Sequence, residues 1–331
     1  MKAAVLSKQG FIFEERPLPE CGPDQVLVRT AGCGICEGDV FQYVTRMGHP
    51  ESKQEFIRLG HEGSGVVAVV GSNVKEFKKG DEVTSLYGDY AEYFLAEKQH
   101  LAHVVAPIDV KTALGEPNAC CMAAARRFGV RMGDRVAIIG SGYMGLGCLQ
   151  LVKLQGAAHI TVFDLLDWRL KTASQLGADA VVNSVDRSPA ELLDQHGEFD
   201  VVIEATGVQA AIDLGTALLR HHGTLNLVGY HQSNGGLRTV DMKTWNFKAL
   251  TVVNGHVRNE IEKLDAMRAA LKLMASGKID SSVLVTNYVF GEINQAFLDL
   301  KARQVGLYKA NLVFGVGKMI TVEDGMEQGR G

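Results

Sequence analysis

The sequence predicts an α/β protein in which a strand-rich unit is joined to a doubly wound parallel sheet. In the first hundred residues, short apolar runs are separated by turn sequences such as GPD, GSN and KKGD, which is typical of a compact barrel-like or sandwich unit. After about Leu114, apolar runs of four to six residues alternate with amphipathic stretches. That alternation is typical of parallel strands connected by helices.

The elements can be assigned in chain order. Strands are predicted in the first unit over QVLVRTA, GSGVVAVVG, DEVTSL and YAEYFLA, and in the second over RVAIIG, HITVFD, AVVNS, FDVVIEAT, TLNLVGY and ALTVVNG. Helices are predicted over ACCMAAARRFG, MGLGCLQLVKLQG, WRLKTASQLG, AAIDLGTALLRHHG and EKLDAMRAALKLMASG. We expect a barrel-like unit over 1–116, a parallel-sheet unit over 117–259, a return to the first unit over 260–317, and a loose tail over 318–331.

Composition narrows the class of protein. A chain of 331 residues is long enough for two domains. Its net charge of −4 gives no basic surface, so we expect neither nucleic acid nor an anionic membrane as a partner. Apolar runs stay below the roughly 20 residues needed to span a bilayer. The N-terminal segment turns charged before a signal-peptide core forms, so we expect a cytoplasmic protein, whose six cysteines form no disulfide framework.

A glycine motif follows the strand RVAII and opens a helix. Gly140 permits a tight turn, Gly142 lets a pyrophosphate approach the backbone, and Gly145 lets helix and strand pack closely. Tyr143 and Met144 lie inside the motif. Phosphates would bind at the helix N-terminus, where free N–H groups favour negative charge. The motif predicts a dinucleotide site.

The next strand ends in Asp164, 24 residues after Gly140. A carboxylate there accepts hydrogen bonds from the ribose hydroxyls and repels a 2′-phosphate, so NAD is favoured over NADP. Arg169 is either a second contact on the adenosine side or an exposed helix charge. The carboxyl ends of later strands are expected to contact the nicotinamide, although loops that cap strands would explain each one separately. They contain Ala205, Thr206, Val228, Gly229, Asn254, Gly255 and His256.

A dispersed set of metal-binding residue types precedes the glycine motif in the sequence. Cys36, His61, Glu62 and Glu116 supply a thiolate, an imidazole and carboxylates, a donor set that suits zinc. Their spacing is too long for a zinc finger. It fits a catalytic zinc, which has three protein ligands and one open position.

These motifs carry a resemblance. The ordered set GICxxD, GHExxGxVxxVG, KxGDxV, EP, GxGxxG and ExTG, spanning about residues 1–315, resembles the zinc-dependent medium-chain dehydrogenase family, and the EP pair its sorbitol and polyol branch. The resemblance implies a chaperonin-10-like β-barrel catalytic domain plus a Rossmann domain. It further implies hydride transfer between NAD(H) and a secondary alcohol or ketone, with a polyol, cyclitol or sugar derivative as substrate, and a homodimer or homotetramer.

The resemblance also implies roles for individual residues. Cys36 and His61 bind zinc, and Glu62 and Glu116 complete or exchange in the coordination shell, with Cys120 as the alternative ligand. The family's Asp at the place of Asp39 supports the ligand loop. Many members hold a second, structural zinc with four cysteines, but here GDEVTSLYGDYAEYFLAEKQ contains none. We therefore expect one zinc per chain. Cys33 is expected to pack in its turn.

A second departure concerns the proton. The family usually carries Ser or Thr two residues after the ligand cysteine and often His five after it, but this sequence has Gly38 and Phe41. The expected chemistry is Lewis-acid activation of the alcohol by zinc, followed by hydride transfer to the nicotinamide. Another group must accept the proton. Glu62 is the first candidate and Tyr43 the second, and Glu37, His49 and a water chain are the others.

Three rival functions stay open. They are a zinc-free NADPH-dependent quinone or enoyl reductase, a lyase or epimerase that uses zinc and bound NAD without net redox change, and a non-catalytic cofactor-binding protein. Asp164 and the ligand set disfavour the first, whereas the absent relay is a weak indication of the second. Four further residues are candidates to line the substrate cleft: Trp245, Asn246, His256 and Arg258. Trp245 is equally suited to a core or an interface.

Overall fold

The structure is a computed structural model that describes residues 1–46 and 59–315. His49 and the tail 318–331 lie outside the described residues. The strands are β1 (Lys2–Ser7), β2 (Gly10–Glu15), β3 (Gln25–Gly34), β4 (Glu62–Val70), β5 (Glu82–Ser85), β6 (Tyr93–Glu97), β7 (Leu101–His103), β8 (Arg135–Ile139), β9 (His159–Asp164), β10 (Ala180–Asn183), β11 (Phe199–Glu204), β12 (Leu219–Leu227), β13 (Thr251–Asn254), β14 (Val285–Val289) and β15 (Lys309–Val313). The α-helices are α1 (Glu37–Arg46), α2 (Gly115–Ala125), α3 (Tyr143–Gln155), α4 (Asp167–Gln175), α5 (Pro189–His196), α6 (Gln209–Leu218), α7 (Met242–Lys248), α8 (Glu260–Ala275) and α9 (Ile293–Lys301).

The strand-rich unit is a sheet in the order β14-β15-β3-β4-β5-β7, with β6 paired to β3. Strands β3 and β4 are antiparallel, and their last pair joins Gly34 to Glu62. Because the chain leaves β3 where it enters β4, Cys36 and His61 are brought to the same end of the sheet. The C-terminal strand β15 pairs with β3 from the other side.

The second unit is a six-stranded parallel sheet in the order β10-β9-β8-β11-β12-β13. Along β8, Val136 and Ile138 face one buried cluster, and Ala137 and Ile139 face another. Burial on both faces explains why the strand sequences are continuous apolar runs. The strand order reverses between β8 and β11, which is where such sheets bind dinucleotides.

One element boundary was wrong. The helix predicted over AAIDLGTALLRHHG ends at Leu218, and β12 begins at Leu219. Leu219 pairs with Phe199 of β11, and both side chains are fully buried. Pairing to the sheet therefore overrides the helical pattern of the last residues. The exact limits 116, 259 and 317 stay a prediction.

Among the residues that the structure describes, no helix is both long and apolar enough to cross a membrane.

Candidate active site

One cleft of about 1950 Å³ is lined by residues of both units. Its lining includes all four predicted metal ligands, namely Cys36, His61, Glu62 and Glu116, together with Asp39. It also includes Gly140, Gly142, Tyr143, Met144, Asp164, Arg169, Ala205, Thr206, Val228, Gly229, Gly255, His256 and Arg258. The predicted metal site and the predicted dinucleotide site therefore open on the same space.

A three-residue cluster lies at one end of this cleft. The ligand atoms of Cys36, His61 and Glu62 all lie within 4.8 Å of one another. Burial lowers the pKa of His61, but the Cys36 sulfur and the carboxylates of Glu116 and Asp39 raise it, to about 10 overall. This imidazole is thus surrounded by negative charge, an environment that favours a bound cation.

Glu62 has one paired and one unpaired oxygen. Its Oε1 accepts a hydrogen bond of 2.7 Å from Lys309 Nζ, which also donates to the Ile35 carbonyl at 3.2 Å. Its Oε2 is buried without a hydrogen-bond partner among the described residues. Burial raises the pKa of Glu62, although Lys309 opposes that shift. A buried oxygen without a partner, next to a thiol and an imidazole, is suited to a metal ligand.

Glu116, in the first turn of α2, is paired differently. Its Oε1 contacts Lys263 Nζ of α8 and accepts from the Cys120 thiol at 3.4 Å. Burial acts to raise the pKa of Glu116, but Lys263 and His61 lower it overall. Glu116 thus lines the cleft beside the cluster of three, with its charge balanced by a lysine.

Asp39 connects the two segments that carry the cluster. Its Oδ2 accepts hydrogen bonds from the Tyr90 hydroxyl at 2.6 Å and from the Gly60 amide at 3.2 Å. Its Oδ1 lies 3.7 Å from His61 Nδ1, which is beyond hydrogen-bond distance but close enough for a charge interaction. Cys33 is fully buried and its thiol contacts the Gly60 carbonyl at 3.2 Å, so it packs inside the turn.

The glycine loop closes on a carboxylate. Gly140 has φ +97°, and a Cβ on Gly145 would overlap the Gly140 carbonyl oxygen, so both positions require glycine. Asp164 Oδ2 accepts from the amide and hydroxyl of Ser141 at 2.6 and 2.8 Å, and Oδ1 accepts from the amide of Leu165 at 2.8 Å. The carboxylate therefore shapes the loop as well as facing the cleft.

Comparisons with known proteins agree with this geometry. The family described as Alcohol dehydrogenase GroES-like domain matches residues 22–107, and that described as Zinc-binding dehydrogenase matches residues 144–276. The chain is 30% identical to sorbitol dehydrogenase of Gallus gallus over 86% of this chain and 88% of that protein. The chain belongs to the zinc-dependent medium-chain dehydrogenase family. A probable D-xylulose reductase A of Aspergillus clavatus is 30% identical over 88% of this chain and 90% of its own length.

A solved structure extends the comparison to the fold. Galactitol-1-phosphate dehydrogenase from Escherichia coli superposes with a TM-score of 0.82 at 22% identity. The superposition covers 95% of this chain and 100% of that one. The dehydrogenase described here thus consists of a GroES-like domain and a Rossmann-like parallel-sheet domain, as predicted, and it is a zinc-dependent oxidoreductase.

Several predicted residues lie away from the reaction space of the dehydrogenase. Tyr43 is buried against Phe11 and Phe297, with ring centroids 5.9 and 5.0 Å away, and burial raises its pKa. It is not among the described residues that line the cleft. Its aromatic ring is committed to the core, so the prediction that Tyr43 accepts the proton is not supported.

Three further candidates are also displaced. Trp245 donates from Nε1 to Thr216 Oγ1 at 2.9 Å and packs on the core of the parallel sheet. Neither it nor Asn246 belongs to the described cleft lining, and the same is true of Asn254, whose Oδ1 accepts from the His256 amide at 2.9 Å. A core contact therefore occupies the Trp245 side chain, and a turn contact occupies that of Asn254.

Sequence reasoning missed the basic residues around the site. Lys309 and Lys263 balance the two buried carboxylates. The one signal for Lys309 is a lysine directly before an apolar strand in GLYKANLVF. The sequence around Lys263 does not indicate a role in the site, because the residue resembles any charged residue on the polar face of an amphipathic helix.

Proposed function

We propose that the enzyme oxidises a secondary alcohol of a polyol, cyclitol or sugar derivative with NAD and reduces the corresponding ketone in the reverse direction. The observation that carries the proposal is that the Cys36–His61–Glu62 cluster and the glycine loop open on one cleft. Two relatives named for sorbitol and xylulose, each 30% identical, support a polyol as the substrate class.

Three residues would hold the zinc: Cys36 through Sγ, His61 through Nε2 and Glu62 through Oε2. When bound, zinc supplies Lewis-acid polarisation of the substrate oxygen. Lys309 limits the negative charge on Glu62, and Asp39 would orient the His61 ring by charge across 3.7 Å. Residues behind a metal ligand commonly have this role. Glu116 is the second carboxylate of the cleft, and its contact with Lys263 makes it the less suitable ligand.

The dinucleotide would lie along the carboxyl edge of the parallel sheet. Gly140 and Gly142 leave room for the pyrophosphate at the N-terminus of α3, and Asp164 faces the adenosine ribose. Thr206, Val228 and His256 are proposed to contact the nicotinamide, which supplies the hydride-accepting ring when bound.

The proton needs an acceptor other than a hydroxyl on residue 38. Glu62 and Glu37 line the cleft, Glu37 being exposed in the first turn of α1. Glu62, the first candidate from the sequence, would have both oxygens engaged, Oε2 by zinc and Oε1 by Lys309, so we propose Glu37 as the acceptor, with water along the cleft carrying the proton. A homodimer or homotetramer and a cytoplasmic location stay predictions of the same proposal.

The test is a substrate screen. The zinc-loaded enzyme is given NAD and a panel of polyols, cyclitols and simple secondary alcohols, and NADH is followed by absorbance. NADH formed with a polyol supports the proposal. Retained NAD with substrate conversion but no net NADH would instead support the lyase or epimerase, and NADPH consumption with a quinone would support the zinc-free reductase.

A further inference from the structure

A small space lies beside Cys36, where the chain has Gly38 in place of a hydroxyl residue. A Cβ built on Gly38 would have three nearest neighbours: Cys36 Sγ at 3.7 Å, Gln232 Nε2 at 3.8 Å and Tyr230 Cε1 at 3.9 Å. These are ordinary contact distances. The glycine therefore leaves room for a small group next to a proposed zinc ligand, and a side-chain amide forms one wall of that room.

Gln232 has an uncommitted amide. The side chain is half-buried, lines the cleft and has no hydrogen-bond partner among the described residues. A Gln amide offers two N–H donors and one carbonyl acceptor. This combination matches an alcohol hydroxyl, which donates one hydrogen bond and accepts others. Leaving such a group unpaired in the complex would weaken binding.

The loop that carries Gln232 is fixed by one arginine. Arg238 donates to His231 Nδ1 at 3.0 Å, to the carbonyls of Ser233 and Leu237 at 2.8 and 2.6 Å, and to the Gly207 carbonyl at 2.7 Å. The residues on both sides of Gln232 are thus bound to the same guanidinium. The last of these bonds ties the loop to the end of β11.

A buried carboxylate holds the other side of the loop. Glu204 is fully buried, and its Oε1 accepts from the amides of Thr206 and Gly207 at 2.6 and 2.7 Å. Its Oε2 lies 3.1 Å from His231 Nε2. Neither of these two atoms makes a hydrogen bond among the described residues, so the contact is one of proximity. The contacts of Arg238 fix the backbone on both sides of Gln232 before any substrate arrives, which lowers the entropic cost of ordering this loop on binding.

We propose that Gln232 is a specificity-determining residue that hydrogen bonds the substrate hydroxyl next to the reacting carbon, in the space left by Gly38. Arg238 and His231 are positioning residues for it. The consequence is a preference for vicinal polyols over alcohols with a single hydroxyl. This inference rests on the proposed function, because it assigns a substrate class to the same cleft.

The test compares substrates that have or lack the second hydroxyl. Gln232→Leu is assayed with whichever of sorbitol, xylitol and butane-2,3-diol the wild type oxidises fastest, and with butan-2-ol. We expect kcat/KM for the polyol to fall about tenfold, as loss of one hydrogen bond implies, while butan-2-ol stays within about twofold. Gln99→Leu, at an exposed position outside the described cleft lining, is the matched control and should change neither.

A second variant and a second measurement distinguish loss of the hydrogen bond from a folding defect in Gln232→Leu. Gly38→Ala fills the space without removing the amide and should give the same selective loss. Calorimetric titration of the polyol into the enzyme–NADH complex should show weaker binding in both variants by a similar factor.

Two failures can be told apart. A wild type that oxidises neither the polyols nor butan-2-ol would overturn the proposed function together with this inference. An active wild type whose polyol preference survives in Gln232→Leu and in Gly38→Ala would overturn this inference alone.

Discussion

Lys309 Nζ lies 2.7 Å from Glu62 Oε1, and the two side chains are 8% and 1% exposed. The residues are 247 positions apart in the chain and meet because β15 pairs with β3. Lys309 also lies 5.0 Å from the ring centroid of Tyr143, the first residue of the helix that follows the glycine loop. One buried ammonium thus contacts the metal-site carboxylate and the dinucleotide side of the cleft.

Lys309→Met is expected to be strongly destabilising. In the metal-free protein it leaves the Glu62 carboxylate buried without its counter-ion, and breaking a buried pair in this way costs about 3–5 kcal/mol. The free energy of unfolding, measured in guanidinium chloride, should fall by this amount. Lys301→Met, on the exposed end of α9, should stay within about 0.5 kcal/mol of wild type. Equal effects of both substitutions would contradict the role given to Lys309.

Gly145→Ala should weaken cofactor binding strongly. A Cβ at this position would overlap the Gly140 carbonyl oxygen, so the loop and α3 must move apart. Titration of NADH, followed by its fluorescence, should show at least a tenfold loss of affinity. Gly291→Ala is the control, since no described atom lies within 4 Å of its Cβ position. Wild-type NADH affinity in Gly145→Ala would rule out this position for the loop.

Asp164→Ala should weaken the preference for NAD over NADP. The carboxylate holds the Ser141 amide and is placed to repel a 2′-phosphate. We expect kcat/KM for NAD to fall about tenfold or more, with a smaller change for NADP, because removal of the charge offsets part of the loss. Asp194→Ala, exposed on α5, should leave the ratio of the two cofactors unchanged. An unaltered ratio in Asp164→Ala would place the 2′-position elsewhere.

His256 should give the stability of the protein a pH dependence. Burial lowers the pKa of His256, as do Arg258, His231 and Lys263, and the contact with the Gly229 carbonyl opposes them only in part. The folded state therefore binds this proton less readily than the unfolded state. Its contribution is present above pH 6.5, the ordinary value, and is lost as the pH falls through the lowered folded pKa.

The variant His256→Gln isolates this contribution. Between about pH 7 and about pH 5, wild type should lose more unfolding free energy than His256→Gln does. His221→Gln, at an exposed site, should follow wild type across the same range. A steeper loss in His256→Gln than in wild type would show that the sign is wrong.

Local sequence signals predicted the strands and the helix around the glycine loop. The turn at Gly140, the helix behind it and the strand that ends in Asp164 all lie within 25 residues, and each has its own chemical signature. The parallel sheet of the second unit was predicted by the alternation of strands and helices. The cluster of Cys36, His61 and Glu62 could be predicted from the sequence because two of its members are adjacent.

Contacts between residues distant in the sequence could not be predicted, because local sequence signals do not show which elements pack together. The sequence around Glu62 does not predict its contact with Lys309. The same is true of Glu116 and Lys263, since each pair depends on how distant elements pack. Tyr43 has the spacing of a residue near the zinc ligand, yet its ring faces Phe11 and Phe297 in the core. A helix position does not reveal which face is buried when the partner strands are unknown.

The carboxylate assignment is tested by one pair of variants. Glu62→Gln should lose zinc, because Oε2 beside Cys36 and His61 is the proposed ligand. Glu116→Gln should retain it, because Lys263 already balances that charge. Both are read by elemental analysis, and retention in Glu62→Gln with loss in Glu116→Gln would exchange the two roles.

The same analysis, with Cys36→Ala, tests the central claim most directly. Protein purified without chelator should contain about one zinc per chain, the number expected for a catalytic site without a structural one, and Cys36→Ala should lose it. A wild type without zinc, or a Cys36→Ala variant that keeps the metal, would contradict the assignment of this cleft as a zinc-dependent alcohol dehydrogenase site.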